Sequence, residues 1–265
     1  MTSSTLDVLT FSIFGDSVMQ GVSTRSGGVS DAPYVSLNLG VHVNDSPAAV
    51  IENRRRFLVN LNLSLEQTVA LNQIHSDRVV TIEPTDAGMG VVEARPTVQA
   101  DAMLTQAAGV ALLIQSADCT LILFHDPVHQ AIGVAHAGWR GSVSGIVPKA
   151  IAEMTRVFGT APGDVRAGIA PTIGQCCYEV DEPVLGPLRQ GYPQWFDKVI
   201  APGREGHGNL DLQELNRLQL IEAGVVEEHI EVMRLCTSCN GDRFFSERGQ
   251  GRPTGRFGAV IALRP

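Results

Sequence analysis

No stretch of this 265-residue chain approaches the roughly 18 consecutive apolar residues that a membrane-spanning helix needs. Met1 to Thr10 has no basic start and carries Asp7, so a secretory signal is not expected and a cytoplasmic location is. Cysteine is scarce: five residues without framework spacing exclude a disulfide scaffold and agree with a reducing compartment. Positive charge is also short. Lys and Arg number 20 against 28 Asp and Glu, the formal net charge is −8, and no basic stripe runs along any segment. A polyanion such as nucleic acid is therefore not expected as a partner, whereas a small anion held by a few local arginines is compatible with the charge. There is no internal repeat and no linker long enough to divide the chain. Residues 1–265 are expected to form one α/β domain.

Apolar residues make up 44% of the chain, enough for a substantial core. From Phe11 to Asn44 the composition is rich in Gly, Ser and Asn, which predicts loops and short strands of the kind that line sites. Ser46-Pro47 opens a helix, with Ser as cap and Pro at the first helical position. Arg54, Arg55 and Arg56 on that helix are expected to fan around its solvated face. Val69 to Ile82 reads as strand, interrupted by the polar run Asn72 to Asp77. Glu83 to Thr97, with its Pro and Gly, reads as loop. Val110–Gln115, Thr120–His125, Ala131–Ala135, Val165–Ala170 and Ala259–Leu263 are apolar runs of strand length, as in a sheet buried on both faces. Val147, Ile151, Met154 and Phe158 mark a helix that Gly159 stops, with Pro148 in its first turn. Asp211 with Glu214 has the form of a capping box, and Gly224 ends the helix that follows.

The chemistry-bearing residues gather at the ends of two of these runs. If Asp126-Pro127-Val128-His129 is the reversal of a hairpin, His125 faces Gln130 and Cys119 faces His136. His75 joins them, because it stands in a polar interruption between apolar runs. One Cys and two His form a borderline-soft set suited to Zn²⁺ or copper, and three protein ligands leave a fourth position open. On spacing alone the bland alternative, a buried thiol and two hydrogen-bonded histidines, is favoured. Asp118 reads either as an orienting or proton-transferring carboxylate, or as an Asp that ends a strand. Arg140, just before a helix, is a candidate anion clamp or an ordinary surface arginine. Cys236-Thr237-Ser238-Cys239 lacks a second C-x-x-C and an adjacent His, so it reads as two unlinked thiols. The neighbours Cys176 and Cys177 read as free, Cys177 as a residue that could face the site. His42, His125, His129, His207 and His229 read as surface or loop histidines.

Several motifs fall in one order: Thr24-Arg25 with Gly27-Gly28-Val29-Ser30, Ser36-Leu37-Asn38-Leu39-Gly40, Gln73-Ile74-His75, and Ala100-Asp101-Ala102. They continue as Ser116-Ala117-Asp118-Cys119, His136-Ala137-Gly138-Trp139-Arg140-Gly141, Cys177-Tyr178-Glu179-Val180 and Thr254-Gly255-Arg256. In this combination, roughly Phe11 to Leu263, the chain resembles the YfiH/YlmD family, also called the laccase-domain or polyphenol oxidase family. The resemblance implies an α/β sandwich of layered mixed sheets and helices, and Zn²⁺ held by His75, Cys119 and His136. It also implies phosphorolysis of adenosine, inosine and 5′-methylthioadenosine, and deamination of adenosine. Copper-dependent oxidation of phenols is an older description of the family. Where the family tends to have paired arginines, this chain reads Ser246-Glu247-Arg248-Gly249-Gln250-Gly251-Arg252-Pro253, so no role is assigned to that loop.

The expectation is thus a zinc-dependent enzyme acting on purine nucleosides and phosphate, with Arg25 and Arg140 for the anion and Asp118 for the proton. Asn38, Gln73 and Cys177 complete the expected substrate contacts. Against a multicopper oxidase stands the residue inventory, seven His and no H-x-H pair. A metal-free hydrolase with Cys119 as nucleophile, activated by His136 or His75, uses the same residue types. A binding protein whose metal only fixes a loop requires a fourth ligand, and none is evident.

Overall fold

The computed structural model describes residues 6–91 and 98–264. Part of the expected loop Glu83 to Thr97, residues 92–97, and the first five residues lie outside the described set. Among the described residues the strands form three sheets. The first runs in the order Val8–Leu9, Val18–Ser23, Phe257–Leu263, Ala111–Ser116, Thr68–Ala70. The second runs Ile230–Val232, Arg166–Ile169, Thr120–Asp126, Ala131–Ala137, Ala102–Thr105, Val79–Thr81. Both mix parallel and antiparallel pairs. A small third sheet joins Glu179–Asp181, His207–Leu210 and Ile200–Pro202.

The alternation of side chains along each strand explains the layering. Leu112 and Ile114 of the first sheet meet Leu121, Leu123, Ile132 and Val134 of the second in one core between the sheets. The opposite set, Ala111 and Leu113, packs with Phe57 and Leu58 of the helix Pro47–Asn60. Ile122 and Phe124, on the other face of the second sheet, pack with Ile146, Val147, Ile151 and Met154 of the helix Ile146–Phe158. The order is helix, sheet, sheet, helix. Every residue of Ala111–Ser116, Thr120–Asp126, Ala131–Ala137 and Phe257–Leu263 is buried, as strands covered on both faces must be. No helix among the described residues is long and apolar enough to cross a membrane.

Caps and stops fall where the sequence places them. Ser46 accepts from the Ala49 amide, Asp211 from the Glu214 amide at 2.9 Å, and Gly159 takes a left-handed φ of 75°. Three expectations fail. The hairpin register is Asp126 opposite Ala131 and Leu121 opposite His136, so Cys119 does not face His136. The cause is the Asp126 side chain, which accepts from the Val128 and His129 amides and keeps Asp126 in the strand, while Gln130 takes φ 51°. Arg54 is not on the solvated face. It is 1% exposed and donates to the carbonyls of Leu39, Gly90 and Val91, whereas Arg55 and Arg56 pair with Glu52 at the surface. Burial pushes the Arg54 pKa down to about 10, which leaves it charged at neutral pH. His125 is fully buried rather than a surface histidine.

Candidate metal centre and the cavity around it

Strands of both large sheets end on the same side of the sandwich, at Ser116, Thr120 and Ala137. His136, next to last in its strand, meets Cys119 and His75 from the adjoining loops there, with potential ligand atoms all within 4.8 Å of one another. Cys119 Sγ is 3.9 Å from His75 Nε2, and the two imidazole rings meet edge to face at 4.8 Å between centroids. The register shift does not separate Cys119 from His136. Cys119 lies one residue before its strand, after Asp118 at φ 99°, and that bend turns the thiol toward the centre. His75 also has positive φ, 61°. Gly138 follows the His136 strand, and a Cβ there would lie 2.8 Å from Cys119 Sγ and 3.3 Å from His75 Cδ2.

Asp101 organises the centre from beneath. Its carboxylate is fully buried and accepts from the amides of Ile74, His75 and Ser76, from the Ser76 hydroxyl, and from His136 Nδ1 at 2.9 Å. Burial opposes its ionisation, yet the His136 and Ser76 bonds hold its pKa below the usual range. With Nδ1 held, His136 presents Nε2 to the centre. Burial also opposes ionisation of Cys119, but the neighbouring His136 and His75 bring its pKa down to about 6. His136 is moved the other way: desolvation lowers it, and Cys119 and Asp101 together raise it to about 9. The thiol is thus disposed to be thiolate at neutral pH, the form that binds a metal. Two imidazoles, one thiolate and a carboxylate behind one imidazole are the donor chemistry of a three-ligand metal centre with an open position.

The centre lies in the wall of a cavity of about 680 Å³. Gln73, Asp118, Tyr178, Arg248, Arg252 and Arg256 also line it. Asp118 is nearly buried, its Oδ1 accepting from Thr237 Oγ1 at 2.6 Å and its Oδ2 from the Arg248 amide at 2.7 Å. Gln73 is turned toward Gln115, exchanging bonds of 2.8 and 2.9 Å with that residue's backbone.

Four expected substrate contacts do not line the cavity. Arg25 donates to the carbonyls of Val35 and Gly241 and stacks over Phe245, so its guanidinium is consumed by loop structure. Asn38 is fully buried and braces Gly40, Asp45 and the Arg256 amide. Arg140 stacks on Trp139 at 4.3 Å, and Cys177 turns away toward Cys239. In their place the loop at 247–256, given no role from sequence, supplies Arg248, Arg252 and Arg256 against one carboxylate, Glu247. His42, read as a plain loop histidine, also lines the cavity, and burial with Arg256 and Arg54 lowers its pKa. Asp101 was missed as a site residue although a signal exists: a lone acid in the apolar run Ala100 to Leu104. The C-x-x-C thiols are free, as expected, but they do not stand alone. Cys236 and Cys239 stand together with Cys176 and Cys177, sulfur atoms within 4.8 Å.

Comparison with known proteins places these features in context. Residues 19–264 match a family model described as multi-copper polyphenol oxidoreductase laccase. The chain is 40% identical over 248 residues to purine nucleoside phosphorylase YlmD of Geobacillus stearothermophilus, covering 92% of this chain and 89% of that one. It is 30% identical over 240 residues to adenosine deaminase RL5 from an unknown prokaryotic organism, covering 90% and 91%. The crystal structure of the protein YfiH of Bacillus licheniformis superposes with a TM-score of 0.94 at 36% identity, over 100% of both chains.

Proposed function

The chain belongs to the YfiH/YlmD, or laccase-domain, family, and from that premise we propose that residues 1–265 act as one zinc-dependent purine nucleoside enzyme. Its reactions are phosphorolysis of adenosine, inosine and 5′-methylthioadenosine, and hydrolytic deamination of adenosine. The observation that carries this reading is the open His75–Cys119–His136 set in the wall of a cavity rich in arginine. A volume of about 680 Å³ accommodates a nucleoside with phosphate beside it. The names of the YlmD and RL5 relatives support the substrate class.

His75, Cys119 and His136 hold the ion, and Asp101 fixes the His136 tautomer. When bound, the ion supplies Lewis acidity for a water or a purine substituent at C6. Arg248, Arg252 and Arg256 hold phosphate against the anomeric carbon. In phosphorolysis a phosphate oxygen bonds C1′ as the C1′–N9 bond breaks and its electron pair passes to the purine. Asp118, which accepts from Thr237 Oγ1 and from the Arg248 amide, takes the proton from phosphate and delivers it to purine N7. Gln73 orients the base from the cavity wall.

The test is Cys119→Ala, with inosine formation and base release followed separately, with and without phosphate. Loss of both supports the reading, and undiminished turnover of both removes the metal centre from the reaction. Copper-dependent phenol oxidation rests on the family description. Among the described residues only one group of potential ligands contains histidine, too few for several copper ions. Metal analysis of protein purified without added copper separates the two.

A further inference from the structure

Away from the histidine centre, two segments 60 residues apart in sequence bring four thiols to one point. The Sγ atoms of Cys176, Cys177, Cys236 and Cys239 all lie within 4.8 Å of one another. Cys239 Sγ is 3.5 Å from Cys176 Sγ and 3.4 Å from Cys177 Sγ. A disulfide requires about 2.05 Å, and all four thiols are free. Four sulfurs about 2.3 Å from one tetrahedral ion stand roughly 3.8 Å apart, the range found here.

Two further observations point to a ligand. Cys236 Sγ accepts from the Gly174 amide at 3.1 Å and the Cys239 amide at 3.5 Å, bonds that favour a thiolate over a thiol. Gly174 is where the two segments touch. A Cβ there would come within 3.0 Å of Cys236 Cβ and 3.2 Å of Cys176 Sγ, so glycine is what lets the sulfurs converge.

We propose that Cys176, Cys177, Cys236 and Cys239 form a second metal site, a closed four-thiolate site for Zn²⁺. The thiols release their protons to solvent as the ion binds. Four protein ligands leave no open position, so the ion is structural. What it fixes is the cavity wall. Thr237, between two of the ligands, donates to Asp118 Oδ1 at 2.6 Å, and its amide donates to the Thr172 carbonyl at 3.1 Å. Tyr178, directly after Cys177, lines the cavity. The ion therefore clamps the two segments that seat Asp118 and Tyr178.

The experiment loads wild type, Cys119→Ser and Cys236→Ser/Cys239→Ser with Zn²⁺ alone, desalts them, and counts zinc per chain by native mass spectrometry. Cys119→Ser is expected to keep one equivalent, and that equivalent is expected to be absent from Cys236→Ser/Cys239→Ser. Should the double variant fail to fold, Cys176→Ser at an exposed position reads the same ion, with zinc affinity expected to fall at least tenfold in competition with a chelator. The proposal is overturned if Cys119→Ser holds no zinc, if Cys236→Ser/Cys239→Ser keeps as much as wild type, or if Cys176→Ser binds with unchanged affinity. The count in Cys119→Ser stands apart from the histidine centre, so failure of one metal assignment does not carry the other.

Discussion

Asp101 grips His136 twice, through its backbone carbonyl to the His136 amide at 2.7 Å and through Oδ1 to Nδ1 at 2.9 Å. One residue thus sets both the register and the ring of a proposed ligand. Asp101→Asn keeps the size but removes the charge and makes the tautomer ambiguous. Metal affinity is expected to drop about 10- to 100-fold, read by chelator competition. An unchanged affinity would mean that the carboxylate only serves the loop at Ile74–Ser76.

Gly138 leaves the space that Cys119 Sγ occupies. Gly138→Ala is expected to displace the thiol and lower turnover by on the order of 100-fold, since a misplacement near 1 Å has that cost. Thermal unfolding should move little by comparison. Activity measured beside the melting midpoint checks the split.

Arg248 touches Asp118 through its backbone amide and offers its side chain to the cavity wall. Arg248→Gln keeps the amide contact. The expected result is a KM for phosphate raised roughly tenfold or more, as for loss of a charge-assisted bond, with adenosine deamination nearly unaltered. Equal loss of both reactions would place Arg248 outside phosphate binding.

His125 is fully buried between Phe14 and the Arg166 side of the sheet, and neither ring nitrogen has a hydrogen-bond partner among the described residues. Burial, with Arg166 assisting, pushes its pKa down to about 4 from 6.5. The unfolded chain therefore takes up a proton below pH 6.5 that the folded chain refuses until about pH 4. Stability is complete above pH 6.5 and falls with acid through that window. His125→Leu should flatten the fall, raising the melting midpoint relative to wild type more at pH 5 than at pH 8.

Arg54 satisfies three carbonyls from a nearly sealed position. Arg54→Met fills similar space and leaves those oxygens without a donor. A loss of about 3 kcal/mol or more is expected in denaturant titration, at about 1–3 kcal/mol per unsatisfied group, with metal content unchanged.

The strands and the three longest helices are legible in sequence because burial on both faces writes continuous apolar runs and because Ser46, Gly159 and Asp211 mark ends with local chemistry. His75, Cys119 and His136 are legible as a set only because ordered motifs surround them; spacing alone favours a bland reading. The register was not legible, since it turns on one side chain, Asp126, choosing the turn amides. Arg54 was misread because helical spacing says which residues share a face but not what covers it. The arginines that line the cavity come from the loop at 247–256 rather than from Arg25 and Arg140, a proximity that distance along the chain hides. For the same reason Cys176-Cys177 and Cys236-x-x-Cys239 looked like two unrelated pairs.

The strand Phe257–Leu263 occupies the middle of the first sheet, paired on one side with Val18–Ser23 and on the other with Ala111–Ser116. The bond from the Gly258 amide to Ser23 Oγ spans 235 residues. A chain emerging in sequence order therefore holds two unpaired strand edges open until 257–263 becomes available, and those edges are sticky. The last of the five strands to emerge is the one that joins the other four. Loss of these seven residues would leave a gap between Val18–Ser23 and Ala111–Ser116.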